Sequence, residues 1–318
     1  MRPVMIIVTV AAALGVGSAI VHAQSWEPPT EAQRCPSKWG AADQRGAANH
    51  MKPETVLRAT RLIRTGEVIE LAHVLSESMP IGEGRRFEVI TKRSPKLAGS
   101  NRRGGNEELL ISEIGHVGTQ LDSLANNTIG DSFYNCVKVD DVATRTGFKR
   151  LGVENVGALM TRGVLIDVAA LKGVEMLPDT YEITAQDLQQ ALERENLTLH
   201  PGDAVLINTG WSTLWSKDTA RYVGRHSGPG SAGAEWLARQ DPMLVGADNV
   251  NLGVTPNPDP KVSLPNHQIL LVVNGIYIIE HLKLDELVMK RVYEFAFIVQ
   301  PLKMQGFAGS TVAPIAVR

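Results

Sequence analysis

The chain has 318 residues, and its 32 basic and 34 acidic side chains leave a formal charge of −2 at pH 7. Because this balance provides no field that would attract nucleic acid or an anionic membrane, we expect a small-molecule substrate. No glycine- or proline-rich linker, internal repeat or block of like charge divides the sequence, which predicts a single domain.

Residues 1–23 have the pattern of a secretory signal peptide. Arg2 gives a positive start, residues 4–21 are almost wholly apolar, and the segment ends in the small-residue pattern Val21-His22-Ala23. A membrane anchor is the alternative, because the apolar run approaches the length that spans a bilayer. Cleavage is favoured because small residues interrupt the run and no stop-transfer charges follow at once. We therefore expect a periplasmic or secreted protein.

An N-terminal arm over residues 24–50 is rich in proline, glycine and polar residues. It carries Cys35, and Cys136 is the other of the two cysteines in the sequence. In an oxidising compartment these residues could form a disulfide, whereas the alternative is a pair of unrelated buried thiols. The sequence gives no Cα separation, so both remain open.

The domain over residues 51–318 begins with a predicted helix that has Pro53 in its first turn and Gly66 as its C-terminal cap. Alternating or apolar runs then predict strands over 68–74, 87–91 and 108–114. The residues after the third strand are expected to form a turn.

A group of metal-type ligands lies at this junction. His116, Gln120 and Asp122 offer an imidazole, a carboxamide oxygen and a carboxylate, and Gly118 lets the backbone turn sharply between them. These side chains can converge on one divalent cation. The alternative is that Asp122 caps a turn and His116 is a half-buried imidazole with a satisfied hydrogen bond.

Three further residues are candidate substrate contacts. Phe133 and Tyr134 could line a pocket for an aromatic or apolar substrate, with ordinary core packing as the alternative. His226 lies on a predicted loop before Gly228 and is either a substrate contact or an exposed turn histidine.

Glu280 ends a mostly apolar run, so a buried carboxylate there would need a partner such as a cation. The alternative is a surface position or a salt bridge to Lys283. His281 is left out of the site, because alternation along a strand would point its side chain to the opposite face.

The second half of the domain alternates short strands with helices. The predicted elements are helices after the N-cap Thr184 and over 232–239 and 284–290, and strands over 203–208, 244–247, 275–280 and 292–300. Many short strands with few helices predict a mixed α/β fold built around a β-barrel or a strongly curved sheet. No glycine-rich phosphate loop follows a strand, so a nucleotide cofactor is not indicated.

The segment His116-Val-Gly-Thr-Gln-Leu-Asp122 resembles the signature H-x-G-T-H-x-D of the cyclase family, which includes bacterial kynurenine formamidases and isatin hydrolase. Further landmarks of the family follow in the same order: Gly163-Val-Leu-Ile-Asp167, residues 202–211, Gly228-Pro-Gly230, Trp236-Leu237, residues 245–249, His267, Gly275 and Glu280. The resemblance covers nearly the whole mature chain. It implies a swivelling β/β/α-type fold with helices outside a barrel.

The resemblance also implies homodimers or homotetramers, in some of which an arm reaches a neighbour's site. Trp39 on the N-terminal arm is the candidate for such a substrate contact.

Two residues depart from the family pattern, which has histidines at the positions of Gln120 and Asn126. The second of those histidines transfers protons in the family, whereas an amide does not titrate and can only orient water or donate a hydrogen bond. The resemblance places His267 and Glu280 at the metal centre. The base would then be Glu280, His267 or a hydroxide on the metal. A carboxamide ligand favours manganese, with zinc as the alternative.

These observations predict an exported hydrolase that uses a divalent metal to cleave an amide, formamide or lactone bond of a small molecule. One alternative is a lyase or isomerase in which the same cation stabilises an enolate. Another is a catalytically impaired periplasmic binding protein that keeps the pocket.

Overall fold

The structure is a computed structural model that describes residues 25–94 and 100–318. The predicted signal peptide over residues 1–23 lies outside the described residues. In the part of the chain that is described, no helix has both the length and the apolar character needed to cross a membrane.

The described residues form short strands and helices in alternation. The strands are β1 (Val68–Glu70), β2 (Phe87–Ser94), β3 (Gly105–Ser112), β4 (Gln120–Asp122), β5 (Ala143–Thr144), β6 (Gly147–Phe148), β7 (Leu159–Asp167), β8 (Glu182–Ile183), β9 (Ala204–Asn208), β10 (Gly228–Pro229), β11 (Leu244–Ala247), β12 (Tyr277–Glu280), β13 (Glu294–Val299), β14 (Gly309–Thr311) and β15 (Ile315–Val317).

The α-helices are α1 (Glu31–Arg34), α2 (Pro53–Thr60), α3 (Val139–Val142), α4 (Val168–Leu171), α5 (Ala185–Arg194), α6 (Thr219–Tyr222), α7 (Ser231–Arg239), α8 (Pro265–His267) and α9 (Asp285–Lys290). Short 3-10 helices cover Gly46–His50, Tyr134–Cys136, Val153–Asn155 and Trp211–Leu214, and a π-helix at Gln268–Val273 continues α8.

Nine of the strands form one curled sheet, a half-barrel with helices around it. Its spatial order is β1-β15-β13-β7-β9-β11-β12-β4-β14. The four neighbours β7, β9, β11 and β12 run parallel, and the flanking pairs are antiparallel. The predicted mixed α/β class with a strongly curved sheet is confirmed.

The parallel strands are apolar because both of their faces are covered. Every residue of β9, β11 and β12 is buried, which is the pattern expected of a parallel sheet between layers of other structure. The helices α2 and α5 both pack against β7. The predicted start of α5 is confirmed, because the Thr184 hydroxyl accepts from the Asp187 backbone N–H and the Asp187 carboxylate accepts from the Thr184 backbone N–H.

The sequence predicted a turn for the segment that carries the metal-type ligands. The structure shows a turn only in part of it, because Gln120 and Asp122 lie on the buried strand β4. The sharp turn comes earlier, at Gly118, where φ is +64°. After that turn the backbone pairs with β12 on one side and β14 on the other, and this pairing makes it a strand.

The N-terminal arm packs onto the domain. Cys35 and Cys136 form a disulfide with a Cα–Cα distance of 6.0 Å. The Tyr134 hydroxyl donates to Asp43 Oδ2 at 2.9 Å. Ala47 and Ala48 are fully buried in the main core, so the end of the arm shares its core with the domain.

Candidate metal centre

Two neighbouring strands bring an amide and two carboxylates to one face of the sheet. Side chains two residues apart on a strand point the same way, so Gln120 and Asp122 share a face of β4. Glu280, the last residue of β12, pairs directly with Gln120 in the antiparallel register. Directly opposed side chains lie on the same face. Gln120 Nε2 accordingly donates to Glu280 Oε2 at 2.8 Å.

His267 completes the cluster from the end of α8. Its Nε2 lies 3.1 Å from Glu280 Oε1 and 3.4 Å from Asp122 Oδ2. One ligand atom from each of Asp122, His267 and Glu280 lies within 4.8 Å of the other two, and all three side chains are buried. Glu280 does not pair with Lys283, whose ammonium lies 3.2 Å from Asp285 instead.

Burial and charge shift the protonation of this cluster. Burial, and after it the nearby charge of Asp122, raise the pKa of Glu280 to about 7 against the opposing effects of His267 and Gln120. Burial alone would lower the pKa of His267, but hydrogen bonds to Asp122 and Glu280 and their charges outweigh it and raise that pKa to about 10. A positive charge between the two carboxylates of the cluster is therefore electrostatically stabilised.

The residues fit a divalent cation. Among the described residues, the buried atoms Gln120 Oε1, Asp122 Oδ1 and His267 Nδ1 have no hydrogen-bond partner. Buried polar atoms are normally satisfied, so three orphaned atoms in one cluster indicate a missing partner. Oxygen and imidazole donors together suit Mn²⁺, Zn²⁺ or Mg²⁺.

His116 and Asn126 line the same cavity, which has a volume of about 440 Å³. His116 is half-buried and is not part of the group of mutually close ligand atoms formed by Asp122, His267 and Glu280. The cluster thus depends on the pairing of β4 with β12 more than on the seven-residue segment from His116 to Asp122.

The structure places three of the predicted substrate contacts outside the cavity lining. Phe133 and Tyr134 are buried in the main core, where Phe133 packs edge-on against Phe148, so the core-packing alternative is right for both. His226 is 1% exposed, forms a bridge to Thr255, and is not among the residues that line the cavity. These three residues do not line this cavity, because aromatic and imidazole residues after a motif are as readily enclosed by the core as exposed to a pocket.

Trp39 does not line the cavity of its own chain. Its ring packs edge-on against His50, with a centroid distance of 5.0 Å, and the Lys38 ammonium lies 4.8 Å from its centroid.

His281 lines the cavity although strand alternation predicted the opposite face. Its φ of +54° lies in the left-handed region, and this turn breaks the alternation directly after Glu280. The ring is held by Tyr222, whose hydroxyl lies 3.0 Å from His281 Nδ1 and 3.3 Å from the Asp248 carbonyl oxygen. Burial lowers the pKa of His281 to about 3, so the ring is neutral. No sequence signal indicated this change of direction.

Arg85 is a second residue that the sequence analysis missed. It lies on the loop before β2, lines the cavity, and donates from Nη1 to the His116 carbonyl oxygen at 2.9 Å. No motif marks it in the sequence.

Gly118 holds the segment before β4 in place, and its replacement by alanine is expected to destabilise the fold by about 1–3 kcal/mol. The residue has φ +64°, and a Cβ there would lie 2.1 Å from Leu75 Cδ2. Thermal unfolding with and without added Mn²⁺ would measure the loss. Gly104→Ala is the matched control, because a Cβ at Gly104 meets nothing within 4 Å. An unchanged melting temperature in Gly118→Ala would contradict this role for the turn.

Asp248 supports the wall that carries His281, and it makes stability depend on pH. Its carboxylate is buried and accepts from the Thr209 N–H and hydroxyl at 2.9 and 2.7 Å. Burial raises its pKa from 3.8 to about 6, against the effect of these hydrogen bonds. The native state then binds more protons than the unfolded state between these pH values, so stability falls as the pH rises.

We expect the free energy of unfolding to fall by up to roughly 3 kcal/mol between pH 4 and 6 relative to Asp248→Asn. Urea unfolding of both proteins across this range would measure the difference, with the exposed Asp285→Asn as control. A constant difference between wild type and Asp248→Asn would show that the carboxyl group does not titrate in this window.

Comparison with known proteins gives matches in sequence and in fold. A family model described as "Putative cyclase" matches residues 69–254. A crystal structure described as a novel cyclase is 31% identical, has a TM-score of 0.78, and is matched over 88% of this chain and 98% of that chain. No curated protein gave a match.

More distant structures share the fold. Isatin hydrolase A from Ralstonia solanacearum is 22% identical with a TM-score of 0.56, and the match covers 79% of this chain and 92% of that chain. A structure described as a predicted metal-dependent hydrolase from Bacillus stearothermophilus is 19% identical with a TM-score of 0.51. The match covers 79% of this chain and 97% of that chain. At these identities the likeness concerns the fold alone.

Proposed function

The chain belongs to the cyclase family, and from this premise we propose that it is a metal-dependent hydrolase that cleaves an amide, formamide or lactone bond of a small molecule. The observation that carries the proposal is the buried cluster of Asp122, His267 and Glu280 in the wall of a cavity. Two structural neighbours described as isatin hydrolase and as a predicted metal-dependent hydrolase support it.

Asp122, His267 and Gln120 would hold the cation beside Glu280, because Asp122 Oδ2 lies 3.4 Å from His267 Nε2 and all three side chains carry a buried polar atom without a partner among the described residues. His116 reaches the same cavity from the turn before β4 and is a further candidate ligand. A divalent cation bound there would lower the pKa of a water molecule and polarise a carbonyl group. Gln120 in place of a family histidine favours manganese.

The side chains around the cluster have separate roles in this proposal. Glu280 Oε1 takes the proton from the attacking water, because its Oε2 is already occupied by the Gln120 amide. Asn126 makes no side-chain hydrogen bond among the described residues, so its Nδ2 is available to donate to the substrate carbonyl oxygen as negative charge develops there. The proton then passes to the leaving nitrogen or oxygen as its bond to carbon breaks.

The lining of the cavity is partly apolar. Ile81, Val117, Val250 and Leu264 face the same space as the cluster. An apolar wall excludes water and binds a hydrocarbon part of the substrate, as small-molecule sites commonly do. The proposed substrate is therefore a compact molecule that combines a hydrolysable carbonyl with an apolar part.

Elemental analysis of the purified protein, followed by a panel of amides, formamides and lactones, tests this function. We expect a stoichiometric divalent metal, loss of hydrolysis after chelation, and recovery on adding Mn²⁺ or Zn²⁺. Incorporation of ¹⁸O from solvent into the product would separate hydrolysis from a lyase or isomerase reaction. Metal-free protein with full hydrolytic activity would reject the proposal.

A second candidate is a binding protein that keeps the pocket without turnover. Asn126 favours it, since the residue in this position cannot carry a proton. If Asn126→His gains turnover on a family substrate that wild type only binds, the binding function is supported and hydrolysis is rejected.

We further propose that the protein is exported, acts in the periplasm or outside the cell, and assembles as a homodimer or homotetramer. The apolar segment over residues 4–21 and the disulfide between Cys35 and Cys136 support export, because disulfides persist in oxidising compartments. N-terminal sequencing of the protein from cell fractions tests the first part. Light scattering of the purified protein tests the second.

A further inference from the structure

Arg85 places one positive charge in the lining of the proposed active site. Among the described residues that line the cavity, it is the only lysine or arginine. Its backbone N–H donates to the Gly82 carbonyl oxygen at 3.2 Å, and its Nη1 donates to the His116 carbonyl oxygen at 2.9 Å. The guanidinium is therefore held against the turn that leads into β4.

The charge of Arg85 is not neutralised by another side chain in the described part of the protein. No described carboxylate lies within 4.0 Å of it, whereas the adjacent Arg86 lies 3.8 Å from Glu113. The carboxylates in the cavity wall, Asp122 and Glu280, face His267 instead. With a divalent cation between those two carboxylates, the lining would carry one surplus positive charge.

Uncharged donors line the same cavity. Asn127 Oδ1 accepts from the Thr128 backbone N–H at 3.1 Å, which leaves its Nδ2 without a partner among the described residues. Asn126, whose Nδ2 is assigned above to the carbonyl oxygen under attack, lines the cavity next to it. A group that fits these donors and Arg85 must be rich in acceptors and negative in charge.

We propose that Arg85 selects substrates that carry a carboxylate in addition to the bond that is cleaved. A planar guanidinium presents a fork of N–H donors that matches a carboxylate, and such charge-assisted pairs are stronger than neutral hydrogen bonds. This inference rests on the proposed hydrolase function and names its substrate class. The substrate is then an N-acyl or cyclic amide, or a lactone, with a free acid group on an apolar body.

A purely structural role for Arg85 makes a different prediction. If the residue only holds the His116 carbonyl oxygen, then Arg85→Gln keeps a donor for that contact and leaves ligand preference unchanged. If it binds the substrate acid, the same change removes the preference for carboxylates specifically. Arg85→Lys keeps the charge but loses the fork, so it is expected to retain part of the preference.

The test compares a carboxylate with its neutral amide in the full protein loaded with Mn²⁺. Binding of phenylacetate and phenylacetamide is measured by calorimetry, and hydrolysis is measured on N-formylphenylalanine and N-formylphenylalaninamide. We expect the wild type to prefer each carboxylate by roughly tenfold or more, and Arg85→Gln to bring both ratios close to one by weakening the carboxylate. Arg86→Gln, outside the cavity lining, is the matched control and is expected to keep the wild-type ratios.

Two results would overturn the inference. In the first, wild type binds phenylacetate and phenylacetamide equally. In the second, Arg85→Gln keeps the wild-type preference, which would assign the carboxylate to the metal. A failure of the proposed function is distinct from both, because a protein without metal or hydrolytic activity still yields the two binding ratios.

Discussion

Replacing Asp122 by asparagine is expected to abolish stoichiometric metal binding and to lower kcat/KM by about 10³-fold or more. The carboxylate lies opposite Glu280 across His267, and its Oδ1 has no partner among the described residues. A bound metal contributes several kcal/mol of charge stabilisation in a hydrolytic transition state, and each 1.36 kcal/mol corresponds to tenfold in rate. Metal content by elemental analysis and steady-state kinetics on a cleaved amide or lactone would measure both effects.

The loss is expected to come without unfolding. The charge of Asp122 raises the pKa of the buried Glu280, so removing that charge relieves a repulsion in the metal-free protein. We therefore expect the melting temperature of metal-free Asp122→Asn to equal or exceed that of metal-free wild type. Asp140→Asn, on an exposed carboxylate, is the control for the substitution itself. Full metal content and activity in Asp122→Asn would remove this residue from the metal centre.

Replacing Asp203 by alanine is expected to lower the free energy of unfolding by about 3–5 kcal/mol. Asp203 is fully buried, and its Oδ2 accepts from Arg162 Nη1 at 2.9 Å and from the His200 N–H at 2.8 Å. Without the Asp203 carboxylate, the buried guanidinium of Arg162 keeps one carboxylate partner, Glu294. Glu294 Oε1 lies 2.5 Å from Arg162 Nε. Removing the fully buried partner leaves the guanidinium with only a partly exposed carboxylate, which explains the size of the effect. Urea denaturation gives the measurement.

An exposed pair provides the comparison. Lys283 and Asp285 lie 3.2 Å apart with side chains 34% and 52% exposed, and Asp285→Ala is expected to cost less than about 1 kcal/mol. The double variant Arg162→Met/Asp203→Leu is expected to recover much of the loss from Asp203→Ala, since an apolar pair needs no compensation. Equal costs for Asp203→Ala and Asp285→Ala would show that the buried pair has no special weight.

Local patterns predicted many of the elements well. The strand Leu244–Ala247 and the start of the helix after Thr184 agree with the sequence, because an apolar run of strand length and a capping box are local signals. The strand predicted over 68–74 is shorter, Val68–Glu70, since its pairing with β15 ends there. Pairing partners distant in sequence set such boundaries, and a local pattern does not contain them.

In the candidate site, too, some features have a local sequence signal and others depend on pairing between distant residues. Ligand type indicated Asp122 and Gln120 in the sequence. The end of an apolar run and the family resemblance indicated Glu280, and the resemblance alone indicated His267. The contact of Gln120 with Glu280 depends on the register between β4 and β12, across 160 residues of sequence.

Residues without a motif were beyond sequence reasoning. His281 enters the cavity through a left-handed backbone turn, and Arg85 through the position of a loop. Phe133 and Tyr134 have a composition suited to a pocket wall, yet packing against Phe148 and the N-terminal arm places them in the core.

The sequence by itself determined the family, the mixed α/β class, the likeness to metal-dependent hydrolases and the types of ligand available. Only the tertiary structure decided which of those ligands meet, which face His281 joins, and that Arg85 shares the cavity. The reason is physical: composition and periodicity act over a few residues, whereas a metal centre is made by strand register and loop packing between residues far apart in the chain.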